Sequence, residues 1–207
     1  KNRNLVSYAD GKNKTWQLAY DAQNRVRSLT NPFNQGRAIS YTDAGALSDL
    51  TDEEKHTEKQ IYDGAGRLQK QIDGVGNITR YQFGFDTASR TGGFGLLTEL
   101  SAPTYSEKYG YDKRNRQISR TKIVGGVELT DEMQYDKLGQ LTSSRDANGR
   151  ETKLEYDAFG NITLADSEGA ISKAQYDALG NLLEFTDPVG GRWIFSYDSF
   201  GRKESLT

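Results

Sequence analysis

The sequence predicts an all-β fold in which tandem antiparallel β-hairpins form a curved strip. Three observations support this prediction. A Tyr-Asp pair recurs along the 207-residue chain at intervals near 21 residues, and a fixed period indicates a repeated structural unit. Most intervals contain two turn signals, which leave segments of strand length between them. Apolar residues make up only 34% of the chain, too few for a thick core, so a thin sheet with wet faces is expected.

The repeat has the form Tyr-Asp-x-x-Gly followed by Arg, Asn or Gln and then an apolar residue. Its best-kept copies supply these structural repeat residues: Tyr20, Asp21, Tyr62, Asp63, Gly66, Tyr135, Asp136, Gly139, Tyr156, Asp157, Gly160, Tyr176, Asp177, Gly180, Tyr197, Asp198 and Gly201. Tyr111-Asp112 is a further copy, and Tyr41-Thr42-Asp43 and Phe85-Asp86 are degenerate ones.

The residue types of the motif are those of a turn. An Asp carboxylate can accept hydrogen bonds from backbone N–H groups that follow it, and Gly tolerates a positive φ. Asn24 and Asn115 take the Gly position in two copies, and Asn is the next most tolerant residue. We therefore interpret the repeated Asp and Gly as turn residues and not as active-site residues.

A second turn follows about ten residues after the first. It appears as Asp73-Gly74-Val75-Gly76, Asp146-Ala147-Asn148-Gly149, Asp166-Ser167-Glu168-Gly169, Asp187-Pro188-Val189-Gly190 and, with Asn for Asp, Asn31-Pro32-Phe33-Asn34. Two turns in each period predict two strands in each repeat, or about sixteen to eighteen strands in all.

Each repeat Tyr is followed six residues later by an aliphatic residue in most copies, as in Tyr20 and Val26 or Tyr62 and Leu68. We expect these two residues to lie opposite each other across the hairpin, where such pairs contribute about 0.2–1 kcal/mol. Gln117 and Lys203 interrupt this pattern.

The segment 50–59 carries a competing helix signal, because Thr51 precedes an acidic stretch. The repeat register instead places a second turn at 52–55 and a strand at 56–62. We give the register precedence over local propensity.

The repeats are predicted to form a single array over residues 1–207, with about nine units and irregular insertions around 84–110 and 118–130. No separate catalytic domain is expected. The net charge is −2 with no basic run, which argues against nucleic-acid binding. No apolar stretch is long enough for a membrane span.

Candidate chemical sites are weak. His56 is the only histidine, and although Asp49, Asp52 and several serines are near it, a His among Glu and Lys residues is usually a solvated surface residue. Calcium loops bring several carboxylates together, whereas each turn here offers one Asp. No carboxylate pair stands out for glycoside hydrolysis. We predict no catalytic residue, no metal site and no cofactor.

The repeated motif, at this period and with its second turn, resembles the YD repeat of Rhs proteins, which also occurs in Tc-toxin shell components, wall-associated polymorphic toxins and teneurins. The resemblance extends from Tyr20 to Lys203. It implies a segment of a spiral β-shell, a non-catalytic scaffold that encapsulates a C-terminal toxin in a secreted or cell-surface bacterial protein. The implied partners are other YD repeats of the shell and the toxin polypeptide.

Two features of a complete Rhs core are absent, namely the acidic Pro- and Asp-containing segment that releases the toxin and the toxin domain itself, so we expect a fragment. The alternative is a cell-surface adhesion or carbohydrate-binding module, in which Trp16, Trp193 and the repeat tyrosines would form an open row for sugars. Burial of these aromatic rings against neighbouring side chains would favour the scaffold.

Overall fold

The computed structural model describes residues 3–84 and 95–206. Within these two ranges all regular structure is β, with nineteen strands and no helix. The strands are β1 Ser7–Ala9, β2 Thr15–Tyr20, β3 Val26–Thr30, β4 Gly36–Tyr41, β5 Leu47–Thr51, β6 Thr57–Tyr62, β7 Leu68–Ile72, β8 Ile78–Gly84, β9 Leu96–Ser101, β10 Tyr105–Tyr111, β11 Gln117–Val124, β12 Val127–Tyr135, β13 Leu141–Arg145, β14 Glu151–Tyr156, β15 Ile162–Ser167, β16 Ala170–Tyr176, β17 Leu182–Thr186, β18 Arg192–Tyr197 and β19 Lys203–Leu206.

The chain divides into two compact units. The first unit comprises Lys1–Phe83 and Leu97–Ser106. Each of its strands from β1 to β8 pairs antiparallel with the next one in sequence, and β9 lies beside β8. It is therefore a succession of hairpins without a crossover connection between β1 and β8.

The second unit comprises Gly84–Leu96 and Glu107–Thr207. Its strands from β11 to β19 also pair antiparallel in sequence order, and β10 is the neighbour of β11. The fold class predicted from the sequence, tandem antiparallel hairpins in an all-β chain, is confirmed.

The sheet has little core. Among the described residues no large side chain is fully buried, and Tyr111 is the only large hydrophobic residue that is less than a tenth exposed. In a strand such as β6, half-buried residues (Thr57, Gln60 and Tyr62) are interspersed with exposed ones. Strands with this pattern gain stability mainly from hydrogen bonds and cross-strand pairs.

The cross-strand pairs predicted from the repeat are confirmed. Tyr20 lies opposite Val26 and Tyr62 opposite Leu68. The remaining pairs of this type are Tyr41 with Leu47, Tyr135 with Leu141, Tyr156 with Ile162, Tyr176 with Leu182 and Tyr197 with Lys203. Lys203 therefore keeps its place in the register although it is not aliphatic.

The register also predicted the region 50–62 correctly. Strand β5 ends at Thr51, a turn follows, and β6 begins at Thr57, one residue later than expected. The backbone N–H of Asp52 donates to the His56 carbonyl (2.9 Å) and closes the turn. The acidic stretch does not form a helix because its ends are held in an antiparallel pair.

Two connections differ from the Asp-x-x-Gly turn. The prediction of a four-residue turn at 166–169 is wrong, since Asp166 and Ser167 still belong to β15 and pair with Ile171 and Ala170. The insertion around 118–130 is a lengthened hairpin in which β11 and β12 are joined by Gly125 and Gly126. The insertion around 84–110 includes residues 85–94, so the predicted copy at Phe85-Asp86 lies outside the described residues.

Candidate functional site at the tyrosine-aspartate turns

Each described Tyr-Asp turn is organised by its aspartate, as the turn after β2 illustrates. The backbone N–H of Asp21 donates to the Arg25 carbonyl (2.9 Å), and the N–H of Asn24 donates to the Asp21 carbonyl (3.1 Å). The Asp21 carboxylate oxygen Oδ1 accepts the N–H groups of Gln23 and Arg25, both at 2.9 Å. One carboxylate oxygen therefore accepts hydrogen bonds from two backbone N–H groups, which have no carbonyl partner in so short a loop.

The third residue after the Asp adopts a positive φ, which completes a three-residue hairpin loop. Its φ is 79° at Gly66 and 91° at Gly160, and Asn24 and Asn115 adopt 64° and 61°. Gly139, Gly180 and Gly201 are equivalent. The motif needs Gly or Asn here because a left-handed backbone is costly for residues with a larger side chain.

A β-bulge follows every described Tyr-Asp turn for which the strand register is defined. Tyr20 lies opposite Val26, but Ala19 lies opposite Ser28, so Arg27 is an extra residue on β3. The same register shift precedes Tyr41, Tyr62, Tyr135, Tyr156, Tyr176 and Tyr197. Bulges bend the strand and increase its twist.

This bulge was not predicted, although the sequence contains a signal for it. Apolar residues recur three positions apart after the turn, as in Val26 and Leu29 or Leu182 and Phe185. Regular alternation would place such residues on opposite faces. The extra residue returns Leu29 to the face of Tyr20, where it pairs with Leu18.

The tyrosine hydroxyl connects each hairpin to the preceding one. The Tyr41 hydroxyl donates to the Val26 carbonyl (2.8 Å), and Val26 is the cross-strand partner of the previous repeat tyrosine. Equivalent bonds join Tyr20 to Leu5, Tyr62 to Leu47, Tyr135 to Gln117, Tyr156 to Leu141 and Tyr197 to Leu182, at 2.7–3.0 Å. Gln117, which interrupts the aliphatic pattern, still serves as acceptor because only its backbone is used.

Tyr176 is the exception. In the part of the chain that the structure describes, the Tyr176 hydroxyl makes no bond to the carbonyl of Ile162. Tyr176 lies 14 residues after Ile162, whereas in the regular repeats the tyrosine lies 15 residues after its acceptor, as Tyr156 does after Leu141. The connection between β15 and β16 is a shorter turn than the second turns of the regular repeats, which accounts for the missing residue.

Within the described ranges 3–84 and 95–206, Arg25, Arg67 and Arg116 connect neighbouring repeats. Arg67 donates from Nε to the Asp63 carboxylate (2.7 Å), and its guanidinium lies 4.6 Å from the ring centroid of Phe83. Arg25 and Arg116 likewise bind Asp21 and Asp112 and lie over Tyr41 and Tyr135. Cation–π contacts of this kind contribute about 0.5–1 kcal/mol at exposed positions. Phe83 thus occupies the position of a repeat tyrosine.

Hydrogen bonds lower the pKa of Asp63, Asp157 and Asp177 in three of the Tyr-Asp turns. The Arg67 side chain and then its backbone N–H hold the pKa of Asp63 below its ordinary value, against the opposing effect of desolvation. At Asp157 and Asp177 the side-chain amides of Asn161 and Asn181 have the leading role. These groups are stabilised as carboxylates, so they are poorly suited to act as general acids or bases near neutral pH.

The second turns use the same capping. Oδ1 of Asp73 accepts the N–H groups of Val75 and Asn77 (3.0 and 2.8 Å), and Oδ1 of Asn31 accepts those of Phe33 and Gln35 (3.0 and 2.9 Å). The neutral Asn31 therefore performs the same backbone function as an aspartate.

His56 lies in the second turn after β5, where its Nδ1 is 3.2 Å from an Asp52 carboxylate oxygen and its side chain is half exposed. The structure assigns it to turn closure, since its backbone N–H also donates to Asp52 Oδ1 (2.9 Å). Within residues 3–84 and 95–206 no group of three or more His, Cys, Asp or Glu side chains is arranged to hold a metal ion. In the same ranges no helix is long and apolar enough to cross a membrane.

The two tryptophans are half-buried and each contacts another aromatic ring. Trp16 stacks on Tyr8 with ring centroids 6.2 Å apart, and Trp193 lies against Phe185 at 5.6 Å. Each contact joins directly opposed residues of adjacent strands. These aromatic residues therefore contribute cross-strand packing, and carbohydrate binding stays an untested prediction.

A buried acid in the second unit was not predicted. The Glu107 carboxylate, on β10, accepts two hydrogen bonds from the Arg120 guanidinium of β11 (2.9 and 3.1 Å) and one from the Tyr109 hydroxyl. These bonds lower the pKa of Glu107, while burial and the bond to this carboxylate raise the pKa of Tyr109 to about 12. The arrangement ties β10 to β11 at one register.

Turns that engage their own acids, bulges at a fixed position and tyrosines that join successive hairpins define a β-hairpin repeat protein with a structural role. The sequence matches the RHS Repeat family at residues 135–171 and 176–207. The chain belongs to the Rhs family of YD-repeat proteins.

Relatives with similar sequences carry names of toxins and nucleases. The chain is 32% identical to a probable deoxyribonuclease RhsA of Dickeya dadantii over 158 residues, which is 73% of this chain and 10% of that protein. It is also 32% identical to the toxin protein Tse5 of Pseudomonas aeruginosa over 151 residues, 72% of this chain and 11% of the relative. The chain thus spans about a tenth of the length of these relatives.

Solved structures share the fold. A crystal structure of TcdB2-TccC3-Cdc42 superimposes with a TM-score of 0.55 at 12% identity and covers 93% of this chain and 12% of that chain. A structure of TcdB2-TccC3 without the hypervariable C-terminal region gives 0.54 at 12% identity, with 97% and 13% covered. At this identity the likeness concerns the arrangement of strands.

Proposed function

We propose that the chain is part of the wall of an Rhs-type β-shell that encapsulates a toxic polypeptide in an exported or surface-displayed bacterial protein. One observation carries the proposal: the residues that recur in every repeat serve turns and bonds between hairpins. At Asp63, for example, the carboxylate is engaged by Ala65 and Arg67. Because the recurring side chains stabilise turns and join neighbouring hairpins, each added repeat extends the sheet.

The composition of the sheet supports a wall. A wall separates two aqueous spaces, so both of its faces must tolerate water, and the described side chains are mostly half-buried or exposed. In a two-layer domain, by contrast, one face of each sheet would be dry. Hydrogen bonds between strands and cross-strand pairs can hold such a layer together over many repeats.

The names of the relatives support a cargo that lies outside these 207 residues. RhsA is a probable deoxyribonuclease and Tse5 a toxin, yet the matching region is a tenth of each protein. We propose that the repeats described here continue as a single array in a longer chain and that any toxic activity resides in another part of it. Its partners would then be neighbouring YD repeats and the enclosed polypeptide.

Protease protection tests the proposal. The complete coding sequence that contains these residues is expressed and the native protein is treated with trypsin. We expect the C-terminal polypeptide to survive at least about tenfold longer than the same polypeptide expressed alone, because an enclosed chain is cleaved only after the wall opens.

Two variants complete the experiment. Leu154→Pro removes a backbone donor in the middle of β14, which lies between two paired neighbours, and should abolish the protection. Val189→Ser alters an exposed turn residue and should leave it intact. If trypsin degrades the C-terminal polypeptide equally fast with and without the repeats, containment is refuted.

A further inference from the structure

Four large apolar side chains protrude along one edge of the second unit. Leu138, Phe159, Leu179 and Phe200 are each between 77% and 85% exposed. Each is the second residue after the Asp of a Tyr-Asp turn, so each lies at the tip of one hairpin: β12–β13, β14–β15, β16–β17 and β18–β19. We call these four residues the tip row.

The tip row is confined to this run of repeats. In the first unit the same position of the turn holds Gln23, Ala44 and Ala65, which are polar or short. Turn capping therefore does not require a large apolar residue at the tip. Four consecutive Leu or Phe residues that remain exposed form the kind of apolar feature that marks an interaction surface.

The spacing of the tip row indicates the geometry of a partner. Consecutive tips are two strands apart, which corresponds to about 9.6 Å at the usual strand separation. This interval leaves room for one apolar side chain between neighbouring tips. A partner that places a side chain at the same interval would fill every gap, and a second run of the same hairpins has this period.

The charges around the tip row favour a protein partner. The turn carboxylates are engaged by backbone N–H groups, for example Asp157 by Phe159 and Asp177 by Leu179. Cations lie beside the row at its two ends: Lys137, Arg114, which donates to the Lys137 carbonyl, and Arg202, which binds Asp198 and lies 5.3 Å from the Phe200 ring centroid. The residues that precede the two middle tips are the uncharged Ala158 and Ala178. An anionic membrane surface is usually met by several Lys or Arg residues.

We propose that the tip row docks against the tip row of a second run of the same repeats, with the Leu and Phe side chains of the two rows interdigitating. A second copy of this chain supplies such a run, and two copies would pair about a two-fold axis between Phe159 and Leu179. The proposal goes beyond the containment function, since it requires no cargo.

The area of the tip row sets the strength of the contact. Each tip offers about 150 Å² of surface, so two facing rows bury about 1,200 Å² in total, the lower end for specific interfaces. Free chains should therefore dimerise weakly, with Kd between about 10 µM and 1 mM.

Sedimentation velocity of the 207-residue chain from about 10 µM to 1 mM tests the proposal. We expect a concentration-dependent dimer. The combined variant Leu138→Ser, Phe159→Ser, Leu179→Ser and Phe200→Ser should weaken dimerisation at least about tenfold, with an unchanged circular dichroism spectrum. The matched control is Phe33→Ser, Val75→Ser and Val189→Ser, which alters three exposed apolar tips of second turns and should dimerise normally.

Cross-linking gives a second measurement, because the chain contains no cysteine. Oxidised Ala178→Cys, beside the tip row, should form a covalent dimer faster than Asn148→Cys on the opposite edge. A wild-type chain that remains monomeric up to 1 mM would overturn the proposal. An equal loss of dimer in the control variant would also overturn the proposal. The same holds if the wild-type chain does not self-associate and instead binds phosphatidylcholine vesicles through the tip row.

Discussion

At the scale of single residues, the repeated aspartate explains why the motif persists from copy to copy. Oδ1 of Asp63 accepts the N–H groups of Ala65 and Arg67, while Oδ2 receives the Arg67 guanidinium. Because the hairpin loop leaves these N–H groups without carbonyl partners, losing the acceptor would leave donors unpaired. Asn31 performs the backbone part of this task without a charge.

We predict that Asp63→Asn weakens the acid sensitivity of the fold. The folded-state pKa of Asp63 lies below its unfolded value because Arg67 stabilises the carboxylate. Its contribution is therefore complete above the unfolded pKa of about 3.9 and is lost as pH falls through the lower folded pKa. Urea denaturation should show wild type more stable than the variant at pH 7, with the difference shrinking progressively as pH falls below the unfolded pKa of about 3.9.

The reverse substitution serves as the control for this prediction. Asn31→Asp introduces a carboxylate in an equivalent turn, where it meets the same two backbone donors, and should make stability fall more steeply on acidification. Stability curves of Asp63→Asn and wild type that stay parallel from pH 7 to pH 2 would contradict the assigned role of the charge.

At the scale of the hairpin, the bulge and the tyrosine act together. Leu141, for example, is the cross-strand partner of Tyr135, and the bulge brings the residue three positions after such a partner to the face of the tyrosine. The hydroxyl of the next tyrosine, Tyr156, donates to the Leu141 carbonyl. The repeats that make this bond, which do not include that of Tyr176, are thereby joined to their predecessors outside the ordinary strand ladder.

We predict that Tyr156→Phe destabilises the chain by about 1 kcal/mol, because it removes the bond to the Leu141 carbonyl while keeping the ring. Tyr176→Phe is the matched control, since the Tyr176 hydroxyl makes no equivalent bond, and it should change stability by only a few tenths of a kcal/mol. Chemical denaturation of the two variants measures the difference. Equal losses would show that the hydroxyl bond contributes nothing specific.

At the scale of the whole molecule, stability should be distributed along the chain. The two compact units each consist of strands paired with their sequence neighbours, and such repeat proteins behave as sums of local terms and nearest-neighbour terms. Local damage should therefore affect nearby hairpins more than distant ones.

We predict that Gly66→Val lowers the stability of the first unit by about 1 kcal/mol or more, because φ is 79° at Gly66 and no described atom lies within 4 Å of an added Cβ, which isolates backbone strain. Trp16 reports on the first unit and Trp193 on the second. In the Trp193→Phe background, fluorescence reports on Trp16, and Gly66→Val should lower its denaturation midpoint. In the Trp16→Phe background, fluorescence reports on Trp193, and Gly66→Val should lower its midpoint by less.

Gly66→Asn provides the control, since Asn24 and Asn115 adopt a positive φ at the same position, and it should cost much less than Val. Equal shifts of both tryptophan transitions would indicate that the chain unfolds as one cooperative body and would refute the local picture.

The sequence predicted the strands and turns well because their causes are local. Asp63 and Gly66 are three residues apart, and their chemistry specifies a turn without reference to the rest of the chain. The erroneous turn at 166–169 shows the limit of this reasoning. Asp166 still accepts the Gly169 N–H (2.7 Å), but Glu168 and Gly169 both adopt a positive φ, so a two-residue turn forms and the strands extend one step further.

The sequence by itself determined an all-β chain, the position of its turns and the pairing of Tyr20 with Val26 and its equivalents, because each depends on residues within one hairpin. Only the tertiary structure decided which carbonyl each tyrosine hydroxyl reaches, which ring lies under Arg25 or Arg67, and that Glu107 is buried with Arg120. These contacts join residues 13 to 18 positions apart. Except for the pair of Glu107 and Arg120, which lies within one hairpin, their partners are set by how one hairpin lies beside the next.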